Sequence, residues 1–117
     1  MSEISASTKL STYKNIDANA TGVLIRTGET RVYGFIFYNV NAAVRYVKLY
    51  DLSTAPTVGT TTPALTIAVP PTGSVVFSSV HGIYFTNGLG IGSVTGVADS
   101  DTTAPTSNQT NVNVIYG

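Results

Sequence analysis

The chain has 117 residues, of which six are basic and six are acidic, so its formal net charge is zero. Charged residues make up 10% of it and form no basic run, which excludes the clustered Lys and Arg that neutralise nucleic-acid phosphates. There is no Cys, so neither disulfides nor thiolate chemistry is available. The length is that of one domain with a single core.

The composition predicts an all-β fold. Val, Ile and Thr together supply 40 of the 117 residues, and the 11 Gly and five Pro punctuate them. No stretch repeats apolar residues with the 3.6-residue period of an amphipathic helix, and none approaches membrane-spanning length. We therefore predict a single antiparallel β-sandwich, jelly-roll-like, with about eight strands.

Residues 1–20 are small, polar and weakly patterned, and we separate them as an N-terminal arm from a β-sandwich domain at residues 21–117. Three alternatives remain open for the arm: disorder, an edge strand around residues 10–16, or a tail that orders on a partner. The first 15 residues lack a charged segment followed by an apolar one, so we expect synthesis in a cytoplasm without secretion.

Residues 31–52 form the most apolar and aromatic stretch, and they predict a long antiparallel hairpin with arms at 32–38 and 44–49. Alternation along the first arm gives two faces, one with Tyr33, Phe35 and Phe37 and the other with Val32, Gly34, Ile36 and Tyr38. On the second arm Tyr46, Lys48 and Tyr50 share a face. Both faces of the first arm are bulky, so we expect one to meet the core and the other a second layer or a neighbouring subunit.

A strand at residues 21–27 is expected to pair with the first arm through a tight turn at Gly28 and Glu29. The later strands are predicted at residues 63–70, 74–80, 82–87, 89–97 and 110–116, with long loops at 53–62 and 98–109. The glycines at positions 88, 90, 92 and 96 predict a bulge or a close approach of another backbone.

Few residues offer chemistry. His81, the only histidine, could be a general base, but no nucleophile turn accompanies it and a turn or interface role is the alternative. Asp99 and Asp101 could hold a cation, or could form Asx turns in a solvated loop. The GLGIG run at residues 88–92 opens no helix, which argues against a phosphate loop. We predict a protein that is not an enzyme and has no cofactor.

Four segments form a recognisable ordered series: VYGFIFYN at 32–39, VKLYDLSTAPTVGTTTPALTIAVP at 47–70, GIYFTNGLGIGSVTG at 82–96 and ADSDTTAPTSNQTNVNVIYG at 98–117. The series resembles a family of small structural proteins of tailed bacteriophages, including phages of cyanobacteria and other marine bacteria. It spans roughly residues 20–117. Thr61 departs from the pattern, because the family usually has Asp there.

The resemblance implies an all-β virion protein without catalytic residues, either a capsid decoration (cement) protein or a tail or fibre component that binds a receptor glycan. It implies a homotrimer that binds the major capsid protein, and a location on the capsid surface or the tail after synthesis in the host bacterial cytoplasm. No nucleic acid, membrane or small-molecule substrate is expected as a partner. The candidate interface residues are Tyr33, Ile36, Tyr38, Tyr46, Tyr50, Pro56 and Val58.

Overall fold

The computed structural model describes residues 9–117 and arranges them in eight strands. These are β1 (Ser11–Asn15), β2 (Val23–Thr27), β3 (Thr30–Asn39), β4 (Arg45–Tyr50), β5 (Leu65–Val69), β6 (Gly73–Phe85), β7 (Gly88–Val94) and β8 (Thr110–Tyr116). The first sheet has the order β1-β8-β3-β6 and the second sheet has the order β2-β7-β4-β5. All pairs are antiparallel, so the predicted β-sandwich of about eight strands is confirmed.

Part of the predicted N-terminal arm is an edge strand. Ser11–Asn15 forms β1 and pairs with β8 at one edge of the first sheet, as one of the three alternatives proposed. Residues 1–8 of the arm lie outside the described residues. No helix within residues 9–117 is long and apolar enough to cross a membrane.

The hydrophobic core lies between the two sheets. Phe35 and Phe37 stack with their ring centres 4.4 Å apart, and Phe77 of β6 lies 5.0 Å from Phe35. Their buried neighbours in the opposite sheet are Val47, Leu49, Val69, Leu89 and Ile91, and Val112 and Val114 lie beside them on β8 of the same sheet. Burying a side chain of this size contributes roughly 1.5–3 kcal/mol, so these residues set which face of each strand points inward.

The predicted hairpin of residues 31–52 is wrong. Its first arm is β3, which pairs with β6 and β8, and its second arm is β4, which pairs with β5 and β7 in the opposite sheet. The chain between them crosses the sandwich at Asn39, whose buried amide donates to the carbonyls of Ala43, at 2.8 Å, and Val69, at 3.3 Å. These bonds fix a corner, so each apolar arm becomes an inner strand of its own sheet.

The expected pairing of residues 23–25 with the first arm is also wrong. The turn at Gly28 is present, with a positive φ of 90°, but β2 pairs with β7 in the second sheet. This turn therefore carries the chain from one sheet to the other. A tight turn between apolar runs indicates a change of direction, and the long-range partners decide whether the two strands pair.

A bulge changes the faces of β3. The register shifts between Val32 and Gly34 relative to both neighbouring strands, so Val32 shares the core face with Phe35 and Phe37. The prediction that Val32 lies opposite them, with Ile36 and Tyr38, is therefore wrong.

The bulge of β3 also explains why β6 is a single strand. This strand continues from Gly73 to Phe85, where the sequence predicted two strands separated near residue 81. Residues 79–82 lie between the paired Ser78 and Ile83, opposite the bulge of β3. His81 thus sits in a bulged segment of a strand, with its side chain exposed, rather than in a turn.

Candidate functional site

The outer face of the second sheet is covered by the chain itself. Tyr50 is completely buried there, and Val58 and Val94 pack with it in a small second core. Val58 comes from the loop at residues 51–64, which folds back over the strands. This face is therefore closed to a partner at its centre.

The glycines of β7 make room for that loop. A Cβ on Gly90 would lie 2.9 Å from Cδ of Pro56, and a Cβ on Gly92 would lie 2.7 Å from Cγ2 of Val58. Both distances are shorter than carbon atoms tolerate without a shift. The predicted close approach of another backbone is found at Gly88, where a Cβ would meet the carbonyl oxygen of Leu52, whereas Gly90 and Gly92 make room for side chains of the loop.

A second loop, at residues 95–109, is held over the same face by charge and hydrogen bonds. Lys48 is fully buried beneath it and donates from Nζ to the carbonyl of Ala98. The carboxylate of Asp101 accepts from the backbone N–H of Gly96 at 2.6 Å and of Thr103 at 3.2 Å. The bond to Thr103 spans two residues, as in an Asx turn.

Desolvation raises the pKa of Asp101, but the hydrogen bonds from Thr103 and Gly96 and the charge of Lys48 outweigh it, so the pKa lies below its ordinary value. Asp101 is therefore a charged anchor of the loop. Across residues 9–117 no three His, Cys, Asp or Glu side chains are grouped to hold a metal ion.

Four predicted interface residues lie on this covered side. Tyr50, Pro56 and Val58 are buried by the chain's own loops, and Tyr46 is half-buried against them. In the folded chain Tyr50, Pro56 and Val58 offer little surface to a partner, because the packing that the glycines allow already covers them. We do not retain these three as interface residues.

The outer face of the first sheet is open. Ile36, Tyr38 and Val76, which we call the exposed strip, are 45%, 41% and 70% exposed. Ile36 lies directly opposite Val76 on β6 and opposite Asn113 on β8. The residues that pair around them are Gly34, Ser74, Ser78, Asn111 and Asn113. None of these side chains is charged.

A cleft of about 360 Å³ lies at one end of this sheet. It is lined by Glu29, Thr30, Arg31, Tyr33, Tyr84 and Gly117, and we call it the Arg31–Tyr84 cleft. The guanidinium carbon of Arg31 lies 5.0 Å from the ring centre of Tyr84, a cation–π contact, and Nη1 donates to the carbonyl of His81 at 3.2 Å. Of the predicted interface residues, Tyr33 lies here.

The cleft combines an aromatic ring with both charges. Desolvation and the nearby Glu29 carboxylate raise the pKa of the Tyr84 hydroxyl, while Arg31 opposes them. The backbone of Arg31 pairs in both directions with Gly117, at 2.8 and 2.9 Å, which fixes the floor of the cleft. Such a site offers a stacking surface with adjacent donors and acceptors.

Sequence reasoning missed several of these residues. Tyr84 lies more than fifty positions after Glu29 and Arg31, and it meets them only because β3 pairs with β6. The sequence did contain a signal for Val76. Val75 and Phe77 lie on one face of the strand and Val76 lies on the other, so both faces of the strand are apolar. Only one of those faces can meet the core.

Neither a scan against protein-family models nor a search of curated proteins found a match to this chain.

Proposed function

We propose that this chain is a non-enzymatic structural protein of a bacteriophage virion, and specifically a capsid decoration (cement) protein that binds the assembled shell. The motif series at residues 32–117 supports the virion role through its resemblance to phage structural proteins. The observation that carries the proposal is the contrast between the two outer faces, because one is closed by loops and the other presents the uncharged exposed strip.

The strand order supports a finer assignment to the jelly-roll class. Every connection between consecutive strands crosses from one sheet to the other, except the β4–β5 connection. An eight-stranded double sheet with such connections is a common architecture of viral capsid domains, and the proposed role agrees with it.

The proposed mechanism is mechanical. The exposed strip of one copy is smaller than the standard interface of about 800 Å² per partner, so a single copy would bind weakly. A homotrimer that engages several capsid subunits at once would gain avidity without new contacts. Bound across joints between subunits, it would add interface that has to be lost before the shell opens.

The uncharged character of the strip specifies the partner surface. An apolar, uncharged patch on the major capsid protein would match Ile36 and Val76, and its binding would depend little on ionic strength. A strong loss of shell binding at high ionic strength would therefore contradict the strip as the contact.

Electron microscopy of purified virions labelled with an antibody to this protein tests the proposal. Label spread over the head at hundreds of copies is expected. Label confined to the tail at a few copies would exclude the cement role, and absence of label would refute the virion assignment altogether.

A matched pair of variants tests whether the exposed strip is the surface that binds the shell. Ile36→Ser should weaken binding of the purified protein to undecorated shells by about tenfold or more. Every copy in the oligomer loses one apolar contact, so the losses add up. Val97→Ser is the control, because Val97 is also exposed, at 62%, but lies in the loop that follows β7 in the second sheet. Equal binding by both variants would place the contact elsewhere.

A tail or fibre module that binds a receptor glycan is the second candidate, and the Arg31–Tyr84 cleft favours it. A Tyr ring beside a guanidinium and a carboxylate can stack on a sugar ring and bond its hydroxyls. Titration of the chain with methyl glycosides, followed by NMR, should then shift the Tyr84 ring signals. A Tyr84→Ala variant should abolish the response, whereas Tyr38→Ala should keep it.

A further inference from the structure

The two sheets end in four edge strands of unequal length. β1, β2 and β5 have five residues each, whereas β6 has 13. On one side β6 pairs with β3, and no other strand within residues 9–117 pairs with its second side. The part of the chain that the structure describes therefore presents one long free strand edge.

The three short edges carry features that prevent pairing with another chain, and the long one lacks them at its beginning. Lys14 lies in β1, Arg26 and a register shift lie in β2, and β5 has only five residues, with Pro63 before it and Pro70 after it. Pro70 and Pro71 also precede β6, but they lie outside its paired residues. Charge, proline and bulges are the usual protection of exposed edges. Residues 73–79 contain no charge and no proline, and the bulge of β6 begins only at their end.

Both faces of this segment are also incompletely buried. Val76 is 70% exposed, and Val80, which follows the segment directly, is 90% exposed. Val75 and Phe77 pack against the core but are only half-buried, because the sandwich is open where β6 lies over the edge strand β5. A neighbouring strand at this edge would cover apolar side chains on both faces as well as satisfy the backbone.

We propose that residues 73–79 form a dimerisation edge, at which β6 pairs antiparallel with β6 of a second copy. The two first sheets would then become one continuous eight-stranded sheet. A second copy is the occupant that fits, because the edge is uncharged and a two-fold axis presents the same unprotected edge from the partner. Zero net charge means that two copies do not repel each other overall.

This inference goes beyond the proposed function and does not depend on it. A two-fold edge contact cannot build the proposed trimer, so the free chain should be a mixture of monomer and dimer, and the trimer would form only on the shell. A trimer of the free chain would overturn the edge dimer and leave the proposed function standing. One strand pair buries less than a standard interface, so the dimer should be weak and concentration-dependent.

Sedimentation equilibrium of the full chain, from about 5 μM to 1 mM, is the first test. A reversible monomer–dimer equilibrium is expected. Val76→Lys should weaken it at least about tenfold, because two lysines near the axis repel each other and edge lysines oppose pairing. Val97→Lys places the same charge at an equally exposed valine and should leave it unchanged. A monomer at every concentration, or equal effects of both substitutions, would overturn the proposal.

Cysteine cross-linking distinguishes edge pairing from contact through the exposed strip. The chain has no Cys, so Ser74→Cys, Val76→Cys and Ser78→Cys each introduce a single thiol. A position at the two-fold axis should form a covalent dimer at least about ten times faster than Val97→Cys, because only there do the two Cα atoms approach disulfide distance.

Ile36→Cys is the decisive control. In an edge-paired dimer two copies of Ile36 lie three strand spacings apart, about 14 Å, and cannot be joined. In a face-to-face dimer they meet. Fast cross-linking of Ile36→Cys with slow cross-linking of all three β6 variants would replace the edge proposal by a face contact.

Discussion

The two outer faces of this sandwich show how one fold can close one surface and leave its equivalent open. On the second sheet, loops at residues 51–64 and 95–109 return over the strands and bury Tyr50 completely. On the first sheet, no loop among residues 9–117 covers Tyr38, which remains 41% exposed. Both tyrosines lie on the outward face of an inner strand, so local sequence does not distinguish them.

The difference arises from what stands beside each tyrosine. Tyr50 is paired with Gly90, whose missing side chain lets Pro56 approach the sheet. Tyr38 is paired with Ser74 and Asn111, both of which carry a side chain, so neither leaves the space that Gly90 leaves beside Tyr50. Small residues on a neighbouring strand therefore decide whether a face is covered by its own chain or left for a partner.

Truncation of the two tyrosines should give the largest contrast. Tyr50→Ala should lower the free energy of unfolding by about 3–5 kcal/mol, because it leaves a cavity in the second core. Tyr38→Ala should cost less than about 1 kcal/mol, since its ring already meets solvent. Urea unfolding of both variants measures this, and similar costs would mean that the loops do not form a packed core in solution.

Filling the space under the loop should give the next effect. Gly90→Val should cost about 1–3 kcal/mol, because the new side chain displaces the ring of Pro56. Ser74→Val places the same side chain on the open face and should change stability by less than about 0.5 kcal/mol. Thermal unfolding of the two variants compares their stabilities directly. If Gly90→Val is as stable as the wild type, the loop moves away from the sheet at no cost.

Sequence reasoning recovered the sandwich because alternation and β-branched composition do not depend on which strands pair. It failed for the hairpin because residues 32–38 and 44–49 are suitable partners for many strands, and local pattern cannot rank them. Asn39 was the available signal. A polar residue that ends an apolar run is often buried at a corner, where its amide can bond several carbonyls.

For the candidate site, sequence reasoning placed Ile36 and Tyr38 on one face of β3, and the structure places them on an open surface. It also selected Tyr50, Pro56 and Val58, which are buried. Alternation identifies the outward face of a strand, but whether a loop returns over that face depends on long-range packing. Gly90 and Gly92 carried that information, since residues without side chains leave space that another segment occupies.

A smaller, pH-dependent effect on stability should come from Asp101, which anchors the loop at residues 95–109. The pKa of Asp101 is lower in the folded chain than in the unfolded one, so the unfolded state binds more protons once the pH falls below about 4. The stability from this carboxylate is therefore fully present at neutral pH and is lost as the pH falls through the folded pKa. Asp101→Asn should flatten the acid limb of a plot of unfolding free energy against pH. An unchanged acid limb would mean that other carboxylates account for it.

The smallest effect should be a gain in stability at Tyr50, the residue whose truncation to Ala should give the largest loss. The hydroxyl of Tyr50 is buried without a hydrogen-bond partner among the described residues, and burial followed by the charge of Asp99 raises its pKa. Tyr50→Phe should therefore stabilise the protein by up to about 1 kcal/mol at neutral pH, because an unsatisfied polar group is removed while the ring still fills the second core.

Above about pH 10 the gain from Tyr50→Phe should increase. The unfolded wild-type chain ionises this hydroxyl more readily than the folded one, so the wild type loses stability there and the variant does not. Tyr38→Phe on the open face should not stabilise the protein at neutral pH, because the Tyr38 side chain is 41% exposed. A loss of stability in Tyr50→Phe would mean that the hydroxyl has a partner, and that the covered face is better satisfied than its geometry indicates.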